Sequence, residues 1–140
     1  MSDDSPNVQV IRKLYAAMGH PELEGLFDLM TPEVEFVVPG IEGMGAAGTW
    51  RGEEQVRECM RRLREGQENL SLEFLNFVAQ GSQLVVRLHA RARVLSTGNV
   101  FESQIIHFFE LADGRVSKLV DFFDTAAVLR AYGTSFTSGG

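Results

Sequence analysis

Asp121 and His107 are the two residues on which chemistry could rest. Asp121 lies in Leu119-Val120-Asp121-Phe122-Phe123, and His107 lies in Ile105-Ile106-His107-Phe108-Phe109. Each is a polar side chain inside an apolar, strand-like run, and burying such a group costs free energy unless it is paired or used. Alternate residues of a strand share a face. Asp121 therefore stands with Leu119 and Phe123, and His107 with Phe101, Ser103, Ile105 and Phe109. A desolvated carboxylate is a natural group for taking up and releasing a proton near neutral pH. Two roles are open to it: an acid/base group, or a structural carboxylate that caps the last helix or pairs an arginine. The two runs are joined by Asp113-Gly114. A two-residue hairpin loop there pairs positions summing to about 227, so His107 faces a residue at about 120. A one-residue bulge would set it directly opposite Asp121. A carboxylate beside an imidazole makes an acid/base pair.

Other residues offer less. Tyr15 sits in an apolar helical stripe, so its ring belongs to the core and its hydroxyl needs a partner or a pocket opening. Arg87, His89, Arg91 and Arg93 form the polar row of an alternating strand. Four basic groups cannot all be buried unpaired, which makes the row a solvated or subunit-facing side; one member could still reach a pocket. The stretch Pro39 to Gly48 holds four glycines in ten residues, so it is a loop, but it carries no phosphate-binding lysine and no dinucleotide fingerprint. Trp50 either lines a pocket mouth or staples that loop. His20, His89 and His107 lack metal-ligand spacing, so no metal or other cofactor is expected.

Composition narrows the class. The 140 residues are 44% hydrophobic and 23% charged, as in an ordinary globular domain, and long enough for a core without disulfides. The single cysteine, Cys59, excludes an internal disulfide. A net charge of −6 argues against nucleic acid as partner. No apolar run has the ~20 residues needed to span a bilayer, and the acidic start MSDDSPNVQ does not read as a targeting peptide. A cytoplasmic protein without a membrane partner is expected.

The elements that must position Asp121 and His107 follow from periodicity and punctuation. Ser5-Pro6 starts a helix whose stripe is Val8, Ile11, Leu14, Tyr15 and Met18, with Gly19 as its cap. Pro21 to Met30 reads as a second helix through Leu23, Leu26, Phe27 and Met30, ended by Thr31-Pro32. Glu33 to Val38 alternates as a strand. Glu53 to Arg64 is a third helix, with Val56, Cys59, Met60 and Leu63 as its stripe. Four strands follow: Leu70 to Ala79, Gln83 to Leu95, Val100 to Leu111 and Val116 to Phe123, joined by loops short enough for hairpins. Asp124 or Thr125 caps a last short helix, Ala126 to Tyr132, and Thr134 to Gly140 is a frayed tail. Helices gather at one end and strands at the other, which gives α+β with a curved antiparallel sheet over helices on one face. Without a repeat or linker, residues 1–140 read as a single domain with an ordered core of about 6–133.

Several segments together resemble one superfamily. They are the helix-pair stretch from Ala16 to Leu26, then Thr49-Trp50-Arg51-Gly52-Glu53-Glu54-Gln55-Val56-Arg57, then Phe109 to Val116, and Asp121-Phe122-Phe123-Asp124. Their order and spacing are similar to those of the nuclear-transport-factor-like cone, in particular its SnoaL-like polyketide-cyclase and ketosteroid-isomerase-like branches. The end Leu129-Arg130-Ala131-Tyr132-Gly133 resembles the SnoaL-like close. The resemblance implies a curved sheet wrapped around three N-terminal helices, a short C-terminal helix, a deep apolar pocket and a homodimer. It places His107 and Asp121 in the pocket, with Asp121 as acid/base. The expected walls are Tyr15, Trp50, Phe36, Val38, Phe109 and Phe123, with the pocket lying between the first two helices and the sheet and opening near the glycine loop and Trp50. The implied activity is cofactor-independent cyclisation or isomerisation of a small apolar organic molecule through an enolate. Limonene-epoxide-hydrolase relatives carry a similar aspartate and give a hydrolase as the alternative, although the middle strand here has arginines and no second aspartate. A non-catalytic binding or assembly module is the third reading. The homodimer is expected through the convex sheet face, with the Arg87 to Arg93 row as a candidate for it.

Overall fold

The computed structural model describes residues 5–40 and 44–133. Helix α1 (Pro6–Met18) begins at Ser5, whose side chain accepts from the Val8 amide, with proline in the first turn. It buries Val8, Ile11 and Leu14. A 3-10 turn (Phe27–Leu29) leads into β1 (Met30–Val38), and β2 (Gly48–Arg51) leads into α2 (Gly52–Gly66). Strands β3 (Gln67–Gln80), β4 (Gln83–Val94), β5 (Val100–Ala112) and β6 (Arg115–Phe123) follow, and α3 (Thr125–Ala131) closes the described chain. The class is α+β: a curved, open sheet of order β2-β1-β6-β5-β4-β3 with the helices against its concave side. All neighbours are antiparallel except β1 and β6.

The hairpins follow their turn chemistry. Asp113 and Gly114 both adopt positive φ, 52° and 77°, the left-handed pair that a two-residue turn between twisted strands requires. A bulge between Glu110 and Leu111 then shifts the register, so His107 sits directly opposite Asp121. In β4 the alternation is complete. Leu84, Val86, Leu88, Ala90, Ala92 and Val94 are buried, while Arg87, His89, Arg91 and Arg93 face outward. On that convex side Arg87 donates to Asn76 and Gln104, Arg93 pairs with Glu68, and His89 and Arg91 lie beside Glu102. An apolar band crosses the same face through laterally paired Val37, Val120, Phe108, Val85 and Val78.

Three expectations about elements need correction. Residues 21–30 form no α-helix. Leu23 and Gly25 take positive φ, 56° and 78°, which interrupts any helix, and three successive turns close Leu23 on His20, Leu26 on Leu23 and Leu29 on Leu26. Turns repeating every three residues bury Leu23 and Leu26 just as a helix stripe would, which is why the spacing misleads. Thr31-Pro32 does not end a helix; it lies inside β1, where the register slips between Met30 and Glu35 and a missing amide is tolerated. Gly48 to Arg51, read as loop and lead-in, forms edge strand β2, pairing Trp50 with Phe36. The middle of the glycine loop, residues 41–43, and the tail, 134–140, lie outside the described residues.

Two apolar clusters fill the concave side. The first joins α1, the turns and the far halves of β4 and β5, around Ile11, Leu14, Leu26, Leu84 and Phe109. The second lies under α2 and α3, around Val38, Cys59, Ala92, Phe101 and Val128.

Candidate active site

The site grows from the β5–β6 hairpin. Its register sets His107 Nε2 3.3 Å from Asp121 Oδ1, with both side chains more than four-fifths buried. The two atoms are close but not aligned as a hydrogen bond. Asp121 Oδ1 is buried with no hydrogen-bond partner among the described residues. A buried acceptor left unpaired is costly, and native structures keep few of them. Among the described residues neither an arginine nor a backbone amide takes this carboxylate. Helix capping falls to Asp124, whose side chain accepts from the Ala127 amide at 3.1 Å while its own N–H donates to Ser103 Oγ at 2.9 Å.

Tyr15 arrives from α1 and completes the group. Its hydroxyl is 2.6 Å from His107 Nδ1, and its ring stacks at 5.8 Å on the imidazole and 4.7 Å from Phe74. Burial first, and the nearby Asp121 charge second, push the Tyr15 hydroxyl well above its ordinary value of 10.0, so it keeps its proton. With a neutral imidazole, Tyr15 O–H donates to Nδ1. The ring proton then sits on Nε2, the nitrogen beside Asp121. Cys59, at the floor of α2, is pushed up to about 12 by burial and then by Asp121, so it stays a thiol.

A cavity of about 270 Å³ opens in front of this group. Asp121, His107, Tyr15, Phe36, Val38 and Phe123 all lie on its wall. Leu88, Ala90 and Ala92 of β4 form part of it, with Met60 and Leu63 of α2 above. Asp121 is the one carboxylate among the described lining residues. Two expected wall residues are elsewhere. Phe109 is fully buried in the first core, edge-on to the rings of Tyr15 and His107 at 6.0 and 6.1 Å, behind rather than beside the cavity. Trp50 donates its indole N–H to Ala46 O at 2.9 Å and lies under the Arg62 guanidinium, so it fastens the loop. The mouth is also displaced from the position expected. The exposed lining residues are Gly19, Arg64, Asn69 and Leu72, at the C-terminal ends of α1 and α2 and along β3. The basic row of β4 is on the opposite face and none of its members lines the cavity.

Sequence reasoning missed Arg64, Gln67, Asn69 and Leu72 as wall residues, because β3 is exposed along most of its length and shows no clear alternation. It also missed Ala90 and Ala92. Their signal was present: a row of large apolar residues that shrinks to alanine marks a place where a sheet leaves room.

This arrangement, a curved six-stranded sheet closed over by helices with an ionisable pair in an apolar hollow, defines a nuclear-transport-factor-like α+β protein. The SnoaL-like domain family matches residues 11–119, and the chain belongs to it. An NTF2-like protein from Burkholderia xenovorans LB400 has a similar structure, with a TM-score of 0.81, 29% identity, and coverage of 91% of this chain and 95% of that one. TerC, crystallised with polyporic acid, superposes with a TM-score of 0.77 at 28% identity over 93% of this chain and 100% of its own. An uncharacterized protein of Mycobacterium tuberculosis is 26% identical over 135 residues, covering 94% of this chain and 98% of that protein.

Proposed function

We propose that the protein is a cofactor-independent acid/base enzyme that acts on a small, largely apolar organic molecule through an enolate, as a SnoaL-like cyclase or isomerase. The observation that carries this reading is the Asp121 carboxylate: it lines an apolar cavity, accepts no hydrogen bond from the described residues, and stands beside an imidazole held in place by Tyr15. A purely structural carboxylate would be expected to be paired and sealed from the cavity.

In this mechanism Asp121 removes a proton from carbon next to a substrate carbonyl. Negative charge then develops on the carbonyl oxygen. His107 Nε2–H is not committed to a hydrogen bond with Asp121 and can donate to that oxygen, the kind of fixed dipole that contributes most when charge appears in a dry site. Tyr15 is a positioning residue. Its O–H on Nδ1 selects the tautomer that keeps the proton on Nε2. Asp121 returns its proton to the product carbon in an isomerisation, or to the new alkoxide oxygen once the enolate carbon has attacked a second carbonyl in an aldol-type cyclisation, so no cofactor enters the balance. The hydrolase alternative draws less support, because the buried row of β4 is apolar throughout and Asp121 has no second aspartate on the wall.

The test uses 2-tetralone, an apolar ketone with acidic α-protons, and follows deuterium uptake at its α-carbon by NMR. The enzyme should accelerate exchange, and Asp121→Asn should lower the rate by roughly 10²–10⁴-fold with an unchanged melting temperature. A protein that leaves exchange at the buffer rate, and whose Asp121→Asn variant only melts earlier, is a scaffold.

A further inference from the structure

We infer that the cavity mouth is a subsite for an anionic oxygen group on the substrate, such as a carboxylate, held by Arg64 with Gln67 and Asn69. This deepens the functional reading above and rests on the cavity being a ligand site.

The first observation is how Arg64 differs from its neighbours. Helix α2 carries four arginines. Arg57 pairs with Glu53, Arg61 with Glu58 and Glu65, and Arg62 with Glu58. Arg64 pairs with no carboxylate among the described residues. Its guanidinium donates instead to three backbone carbonyls, Pro21 at 2.6 Å, Met18 at 2.7 Å and His20 at 2.8 Å. These bonds fix the plane of the group and use three of its five N–H donors. They leave two donors and a charge without a countercharge, on the wall of an apolar cavity.

The second observation concerns the two amides beside it. Gln67 accepts the Tyr132 O–H on Oε1 at 2.9 Å, which leaves its amide N–H₂ as the free end. The Asn69 side chain makes no hydrogen bond among the described residues. Arg64 and Gln67 therefore present donors in excess at this end, and Asn69 adds a further free N–H₂ alongside its carbonyl, while the lining acid, Asp121, belongs to β6, three strands from β3. That polarity orients a ligand. An anionic end is repelled by Asp121 and received at Arg64, which leaves a neutral carbon acid to meet the base.

The experiment compares biphenyl-4-carboxylate with biphenyl-4-carboxamide by titration calorimetry, so no turnover is needed. The wild-type protein should bind the carboxylate about tenfold or more tighter than the amide, the scale of a charge-assisted hydrogen bond. Arg64→Gln should abolish that preference, whereas Arg57→Gln on the same helix should leave it intact. Because Arg64 also ties down the end of α1, a second variant avoids disturbing it. Gln67→Glu keeps an acceptor for Tyr132 yet adds a negative charge at the mouth, and should weaken the carboxylate at least tenfold more than the carboxamide. Equal affinity of the two probes for the wild type, or a preference that survives both substitutions, overturns the subsite and leaves the acid/base reading standing. Failure of both probes to bind at all overturns both.

Discussion

Strand β4 runs beneath both apolar clusters, and its buried row changes character between them. Under α1 it presents Leu84 and Val86, which join Ile11, Leu14 and Phe109 in a filled core, and Leu88, which belongs to that core and also reaches the cavity wall. Towards α2 it presents Ala90 and Ala92 on the cavity wall, and Ala92 and Val94 join Cys59, Val38 and Phe101 in the second cluster. Backbone geometry is continuous across the two halves, since the pairing of β4 with β5 runs unbroken from Gln83 to Arg93. What differs is side-chain volume. Close packing leaves few voids by default, so the hollow arises where small residues of the sheet stand opposite helices held off by larger ones. The filled half supplies rigidity, and the ionisable group sits at the seam. Tyr15 and Phe109 belong to the first half; Asp121 opens into the second.

The largest effect is expected in the filled half. Phe109→Ala removes a fully buried ring that packs against both Tyr15 and His107. It should cost about 3–5 kcal/mol of stability by urea denaturation. A loss under 1 kcal/mol would show that this half is loosely packed too and would erase the contrast.

In the hollow half the expected effect is on binding. Ala92→Leu should abolish binding of biphenyl-4-carboxamide while changing stability by less than about 1 kcal/mol, because the added methylenes enter empty space. Insertion into a packed core instead costs about 1–3 kcal/mol. A loss of that size with binding retained would mean that the cavity does not extend to this alanine.

The smallest effect distinguishes the halves by pH. Cys59, in the hollow half, is raised from its ordinary 9.0 to about 12. Tyr15, packed on the filled half, is raised from 10.0. In each window the unfolded chain has lost a proton that the folded chain keeps, so unfolding free energy falls as pH rises. Stability from Cys59 is complete below pH 9 and is lost between pH 9 and 12; the Tyr15 contribution begins to fall only above pH 10. Cys59→Ala should flatten the stability profile from pH 9 upward, and Tyr15→Phe only above pH 10, where Tyr132 also contributes. Stability curves from denaturant melts at half-unit intervals check this. A Tyr15→Phe profile that flattens below pH 10 contradicts the assignment.

Local rules carried much of the fold. Ser5-Pro6 starts α1 and Asp124 caps α3, because each is decided within one turn of helix. The β3 to β6 meander is legible because breaks of two to five residues leave few ways to pair consecutive strands. The misreadings lie where local pattern is degenerate. Leu23, Leu26 and Leu29 repeat every three residues, and successive turns satisfy that spacing as a helix would. Gly48 to Arg51 is too short to declare itself and becomes a strand only because β1 is there to pair with it.

The amino-acid sequence by itself determined that His107 and Asp121 would lie on paired strands within one residue of direct register, since turn chemistry and alternation act over a handful of residues, and the bulge between Glu110 and Leu111 closed that last step. Tertiary structure alone decided what surrounds them. The Tyr15 hydroxyl reaches His107 across 92 residues of chain, and nothing near Tyr15 specifies that meeting. Parallel pairing of β1 with β6 brings Phe36 and Val38 to the same wall. Arg64 settles on the carbonyls of Met18, His20 and Pro21 because two helix ends converge there. The cavity itself is a difference between the space the backbone encloses and the volume the side chains fill. Such a difference belongs to the whole packing and is written in no single segment.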